Sequence, residues 1–308
     1  LCPCDFSEFS RRGLAQAIEL AQWFGSTVEV LHAHALPMPA MASAPIAPAP
    51  AAMPAPVVTP ATEGQEQALR EQLRHLVEPA EKAGAAVVTA LEWGDPVTTI
   101  LERAGQDGVD LVVMGTHGRS GFERLFLGSV AEKVLRKAPC PVLTVRAEGD
   151  APARPRRVLC PIDFSDSSKS ALHWALVVAA KASAPLQVLH VVEILAVPPP
   201  LAGFGAAEQQ IELGQKRAEE LLADVLTEAE ETLPVEGRPT LERTVIHGKP
   251  AREIVRVAEE DGADLVVMGV HGHGVIDRML FGSTTHHVVR EAPCPVLSVR
   301  QPPEPVRE

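Results

Sequence analysis

From Leu186 to Val192 the chain reads as an apolar run with no strict alternation, which predicts a strand covered on both faces. Ahead of it, Leu172, Ala175, Leu176 and Ala179 recur at helical spacing and predict a helix over 166–182. Arg157–Ile162 is a shorter apolar strand. Downstream, Ala207–Thr232 reads as a long polar-faced helix, with Leu213, Leu221, Leu222 and Leu226 on one side. Strands follow over Thr240–Ile246, Asp264–Met268 and Pro295–Val299, separated by helices over Ala251–Glu260 and Ser283–Arg290. Such alternation predicts an α/β architecture: a parallel sheet with crossover helices on both faces. Sheets of this kind bind ligands at the carboxyl ends of their strands, where the winding reverses.

The same order of elements occurs twice. Leu1-Cys2-Pro3-Cys4-Asp5-Phe6-Ser7 matches Leu159-Cys160-Pro161-Ile162-Asp163-Phe164-Ser165. Asp110–Arg146 aligns without a gap to Asp264–Arg300, with 21 of 37 positions identical. Gly94-Asp95-Pro96 answers Gly248-Lys249-Pro250. The chain is therefore expected to form two tandem doubly wound domains, over 1–147 and 156–302, each a five-stranded parallel sheet. Its 308 residues suit two domains of ordinary size. The last strands of the two copies are expected to pair, giving an intrachain pseudo-dimer that could dimerise further.

Composition narrows the function. Lys+Arg 28 against Asp+Glu 40 gives a net charge of −12, which argues against a nucleic-acid surface built on counterion displacement. Aromatic residues make up 4% and Tyr is absent, so platforms for stacking bases are not expected. Five cysteines without a CxxC pair do not suggest a disulfide framework; they read as small buried apolar residues rather than redox thiols. No signal peptide is visible, and the cytoplasm is the default compartment. Residues 30–62 contain no Lys, Arg, Asp or Glu, but their many prolines exclude a membrane-spanning helix. Positions 36–62 read as a Pro/Ala-rich loop in copy one, either a cover over the strand ends or a surface insertion.

The chemistry concentrates after the fourth strand of each copy. Copy one reads Met114-Gly115-Thr116-His117-Gly118, then nine residues, then Gly128-Ser129. Copy two reads Met268-Gly269-Val270-His271-Gly272, then nine residues, then Gly282-Ser283. Glycines permit φ > 0 and let backbone N–H groups approach a phosphate closely. A helix starting at the final Gly-Ser adds unpaired donors and the positive end of its dipole. There is no Gly-Lys-Ser/Thr loop and no GxGxxG fingerprint. A simpler role for Ser129 is the N-cap of a capping box with Glu132, and Asp5 and Asp163 could be plain turn residues. His271, His273, His286 and His287 invite a metal reading, but no Cys or acidic set completes it.

The pattern Gly-x2-Gly-x9-Gly-Ser resembles the ATP-binding signature of the universal stress protein family, in its tandem two-domain form. The resemblance extends through nearly the whole chain. It implies an adenine nucleotide alpha hydrolase-like fold and one adenine-nucleotide site per domain. By that resemblance Pro3 with Asp5, and Pro161 with Asp163, lie beside the base and ribose, and Ala33 and Val191 pack near adenine. Gly115, Gly118, Gly128 and Ser129 in copy one, and Gly269, Gly272, Gly282 and Ser283 in copy two, would hold ribose and phosphates. Backbone at Met114, Val130, Met268 and Thr284 would assist. Copy one has Arg119 where copy two has His273, so unequal affinities are expected. The cofactor implied is ATP or another adenine nucleotide, with Mg2+ carried on its phosphates and no dedicated metal site. The function implied is that of a regulatory ATP-binding protein of the stress response, with a protein partner the sequence does not identify. The alternative is a slow ATP hydrolase or another adenine-nucleotide-processing enzyme of the same superfamily, although no P-loop lysine or water-activating base is evident.

Overall fold

A computed structural model describes residues 1–35, 63–116, 127–146, 152, 154–193, 204–232, 237–270 and 282–300. The proposed cover at 36–62 lies outside them. Copy one runs β1 (Cys2–Pro3), α1 (Glu8–Phe24), β2 (Val28–His34), α2 (Glu63–Lys82), β3 (Val87–Trp93), α3 (Pro96–Ala104), β4 (Val112–Gly115), α4 (Ser129–Lys137) and β5 (Val142–Val145). Copy two repeats it: β6 (Val158–Pro161), α5 (Asp166–Ala182), β7 (Leu186–Val192), α6 (Phe204–Glu231), β8 (Leu241–His247), α7 (Pro250–Glu260), β9 (Leu265–Gly269), α8 (Ser283–Glu291) and β10 (Val296–Val299). The helices that follow β1 and β6 are capped alike. Ser7 and Ser165 accept hydrogen bonds from the Ser10 and Ser168 N–H groups at 3.2 and 3.3 Å.

In copy two the strands form a parallel sheet in the order β8-β7-β6-β9-β10. Copy one has the matching order β3-β2-β1 and β4-β5. Its β1–β4 contact rests on Leu1, whose nitrogen donates to Leu111 O at 2.8 Å and whose carbonyl accepts from Val113 N at 2.9 Å. Successive strand residues point to opposite faces, so two cores form, one on either side of the strands and each shared by both copies. One contains Leu14, Val30, Val113, Leu172, Leu176, Val188, Leu222 and Leu226, under α1, α2, α5 and α6. The other contains Leu31, Ile100, Met114, Leu135, Leu189, Ile254 and Met268, under α3, α4, α7 and α8. Burying each such side chain stabilises the fold by about 1.5–3 kcal/mol.

The expected apolar side of α6 requires correction. Ala218, Leu222 and Leu226 face the core at 5%, 1% and 1% exposure, while Leu213 is 67% exposed and Leu221 36%. Leu213 stands about two and a half turns before Leu222, on the opposite side, and Leu221 is turned about 100° away.

The copies join through their last strands. β10 and β5 pair antiparallel, Val296 opposite Thr144 and Leu297 opposite Leu143, so the intrachain pseudo-dimer is present. An exchange of arginines reinforces it. Arg146, just past β5, donates to the carbonyls of Arg290 and Ala292 at the end of α8, both at 3.0 Å. Arg300, just past β10, donates to the Arg136 carbonyl near the end of α4. Each copy thus supplies a cation to the other's helix C-terminus, where carbonyls lack intrahelical donors and the dipole is negative. Burial lowers the Arg300 pKa from its ordinary value.

All five cysteines are unpaired. Cys2, Cys4, Cys160 and Cys294 are buried. Burial pushes the Cys2 and Cys294 thiols up to about 12 and raises those of Cys160, Cys4 and Cys140. Cys2, Cys4, Cys160 and Cys294 are small side chains of the two cores, and Cys140 packs against one of them.

Replacing Arg146 by Ala should lower unfolding stability by about 1–3 kcal/mol in a urea titration, because two carbonyls lose a charged donor. The same change at exposed Arg12 should move it by less than about 0.5 kcal/mol. The thiols predict a pH slope. Their folded pKa values lie above the ordinary 9.0, so their contribution is intact below about pH 9 and is lost as pH rises towards 12. Urea midpoints should fall across this window, and Cys294→Ala should make the fall shallower.

Candidate functional site

Past β6 the backbone turns sharply into α5. Asp163 Oδ1 accepts from the Ser165 N–H at 3.1 Å and the Ser165 hydroxyl at 2.6 Å. In copy one, Asp5 Oδ1 accepts from the Ser7 N–H at 3.0 Å. The turn role open to these aspartates is therefore real, and it also fixes where they stand. The residue between Asp and Ser is left-handed in both copies, with φ +65° at Phe6 and +66° at Phe164. A bulky side chain in that region costs about 1–3 kcal/mol, so neighbouring contacts must impose it. One such contact recurs. His190 Nδ1–H donates to the Ile162 carbonyl at 2.8 Å, and its ring lies 4.5 Å from that of Phe164. His32 Nδ1–H donates to the Cys4 carbonyl at 2.7 Å, and its ring lies 4.6 Å from that of Phe6.

The first glycine of each loop motif has a different constraint from the one its sequence suggested. Neither Gly115 nor Gly269 has positive φ. A Cβ on Gly115 would stand 2.7 Å from the Phe9 carbonyl oxygen, and one on Gly269 would stand 2.7 Å from Ser167 Oγ and 2.8 Å from Ser168 N. These glycines let the strand end pass beneath the first turn of α1 or α5. Copy one narrows the approach further with Gly13, whose Cβ would meet Gly115 N at 3.2 Å.

The last glycine begins the helix. Gly128 and Gly282 are the N-caps of α4 and α8, and neither helix has a side-chain cap. The capping-box reading of Ser129 is thus corrected: Ser129 is the first helical residue. The boundary is set by backbone. Gly128 N donates to Thr116 O at 2.8 Å, and its carbonyl accepts from Glu132 N at 2.9 Å, opening the helical ladder. Glu132 instead pairs with Arg136 at 3.1 Å. In copy two, Gly282 N donates to Val270 O at 3.2 Å and Gly282 O accepts from His286 N at 2.9 Å. The Thr285 hydroxyl donates to Gly269 O at 2.9 Å, locking the first turn of α8 to the end of β9. The N–H groups of Ser283, Thr284 and Thr285 precede the ladder and point out of the helix start.

In copy two these pieces enclose a cavity of about 340 Å³, within the usual range for small-molecule sites. Eight sequence-predicted residues line it: Pro161, Asp163, Val191, Met268, Gly269, Gly282, Ser283 and Thr284. Leu189, Glu193, Pro250, Ile254 and Thr285 also line it and were not foreseen. The repeated Gly248-Lys249-Pro250 anchor was the available sign for Pro250, and the repeat-matched histidines in β2 and β7 were the sign for His32 and His190. Pro3, Asp5, Ala33, Met114, Gly115, Gly128, Ser129 and Val130 are their repeat-matched counterparts in copy one. Gly118, Arg119, Gly272 and His273 lie outside the described residues, as does His271. Among the described residues no three His, Cys, Asp or Glu side chains gather to hold a metal ion. No helix among them is long and apolar enough to cross a membrane.

A model of the universal stress protein family matches residues 1–146 and again 155–300. The chain belongs to that family. A universal stress protein of Mycobacterium tuberculosis is 31% identical over 258 residues, covering 80% of this chain and 82% of the relative. One from Thermus aquaticus is 34% identical over 145 residues, which cover 47% of this chain and 98% of the relative. The crystal structure of a universal stress protein from Archaeoglobus fulgidus DSM 4304 aligns over 97% of both chains with a TM-score of 0.66 at 22% identity, a likeness of fold. The tandem universal stress protein architecture thus accounts for both halves of this chain.

The close approach at Gly269 gives a direct test. Gly269→Ala must displace backbone of the α5 first turn, and should lower stability by about 1–3 kcal/mol in denaturant unfolding. Exposed Gly64→Ala on α2 meets no atom within 4 Å and should be neutral or slightly stabilising.

Proposed function

We propose that each copy binds an adenine nucleotide, ATP in the first place, and that occupancy regulates a partner in the stress response. The observation that carries this is the uncapped start of α8 at the wall of the 340 Å³ cavity. Three backbone donors and the positive dipole end suit a phosphate there, and the donors would otherwise depend on water. The lining also carries apolar Leu189, Val191, Ile254 and Met268, which suit a flat base. The choice of adenine comes from the loop motif's resemblance to the family signature. Mg2+ would enter on the phosphates, since the described residues provide no ligand set of their own. This reading is compatible with a net charge of −12, because it needs local N–H groups rather than a basic surface.

The proposed units span 1–147 and 156–302, and their sites differ. In copy one, Asp95 caps α3, accepting from the Thr98 N–H and hydroxyl at 2.9 Å each, and Glu132 stands in the first turn of α4. In copy two, Lys249 occupies the cap position of α7 without a cap bond, and the first turn of α8 carries no acid. The start of α8 therefore favours anions more than that of α4, whereas at the α3 and α7 starts the caps and Glu253, in the first turn of α7, pull in opposite directions.

Nucleotide released from the purified chain, identified by mass spectrometry, should amount to two adenine nucleotides per chain; no release and no titratable ATP binding would overturn the reading. Gly282→Asp should cap α8 while placing a carboxylate at the phosphate position. ATP affinity at that site should fall at least about tenfold in calorimetric titration, with stability lowered by no more than about 1–2 kcal/mol as the new Cβ, 3.1 Å from Val270 O, offsets the gained cap. Gly128→Asp should remove the copy-one contribution by a different amount; equal losses would contradict the inequality.

A further inference from the structure

We infer that His190 and His32 are positioning residues that aim Asp163 and Asp5 at their nucleotides, an inference that rests on the nucleotide reading above. Each histidine grips both neighbours of its aspartate. His190 bonds the Ile162 carbonyl at 2.8 Å on one side of Asp163 and packs on the Phe164 ring at 4.5 Å on the other. His32 does the same to Cys4 and Phe6 around Asp5, at 2.7 and 4.6 Å.

The need for such a grip is visible in the backbone. Phe6 and Phe164 hold φ near +65°, a conformation disfavoured for a bulky residue unless its surroundings enforce it. Relaxing the Phe into extended backbone would swing the preceding aspartate out of the turn that its Ser165 or Ser7 bonds define. Asp163 lines the cavity, so its placement decides what a ligand meets there. Because a carbonyl only accepts, the Nδ1 facing it must carry the proton. The His190 ring is thereby fixed by one directional bond and one ring face, which a purely apolar side chain at this position could not supply. The arrangement occurs in both copies although Cys4 and Ile162 differ, which ties it to the backbone carbonyl and not to either side chain.

The test is a double-mutant cycle on the full chain carrying Gly128→Asp, read as ATP affinity by calorimetry. His190→Ala should weaken binding about tenfold; on top of Asp163→Ala it should cost nothing further, because it acts through that carboxylate. His190→Asn, which keeps an N–H donor near the Nδ1 position, should recover part of the loss. Circular dichroism melts accompany each variant. Equal losses with and without Asp163, or no loss at all, would overturn the inference, leaving His190 a packing residue. Failure of both His190 variants to fold would overturn it too. An unmodified chain that binds no ATP would overturn the nucleotide reading and this inference with it, whereas ATP binding with additive losses would overturn this inference alone.

Discussion

A helix that begins at a strand end with no side chain to cap it leaves backbone donors that need a partner, and the copy-two cavity is arranged around that constraint. Gly282 fixes the start of α8 through its bond to Val270, so Ser283 becomes a helical residue and not a cap. Gly269 allows β9 to run close under α5, which brings the Asp163 turn to the same end of the sheet. Thr285 ties the helix start to the strand end. Each of these contacts is local and cheap, and together they place donors, a carboxylate and an apolar wall around one space.

The duplicated chain sets those helices in a wider frame. The antiparallel β5–β10 pair makes one seven-stranded ladder across both copies, and Arg146 and Arg300 hold the far ends of α8 and α4. The helices whose starts face the proposed ligand are thus the ones whose ends are held by the other copy. Identity of fold has not kept the copies chemically identical. Asp95 against Lys249, and Glu132 against His286, change the charge around the helix starts without changing the backbone that presents them.

Most strands and helices were legible because their apolar runs and spacings are long and occur twice: α5 and β7 fall on their expected residues. The phase of α6 was not, because four leucines within fourteen positions cannot all share one side of a 3.6-residue helix, and packing chose the Ala218–Leu222–Leu226 line. The glycine motif was legible as a pattern, but the reason for its first glycine was not. Spacing reveals that small residues are required, while the clash with Ser167 that requires Gly269 exists after folding. Left-handed Phe6 and Phe164 could not be foreseen from propensity, which disfavours that region for a bulky side chain. Arg146 and Arg300 closed the repeat alignment as identical residues, yet their exchange across copies follows from strand pairing that no local pattern encodes.

Amide NMR of the isotopically labelled chain during an ATP titration tests the central claim most directly. The account predicts that the backbone amide resonances of Ser283, Thr284 and Thr285 shift strongly on ATP addition, with Ser129, Val130 and Ala131 following at a different midpoint. Saturation by ATP with those amides unmoved, or shifts confined to side chains elsewhere on the surface, would contradict it.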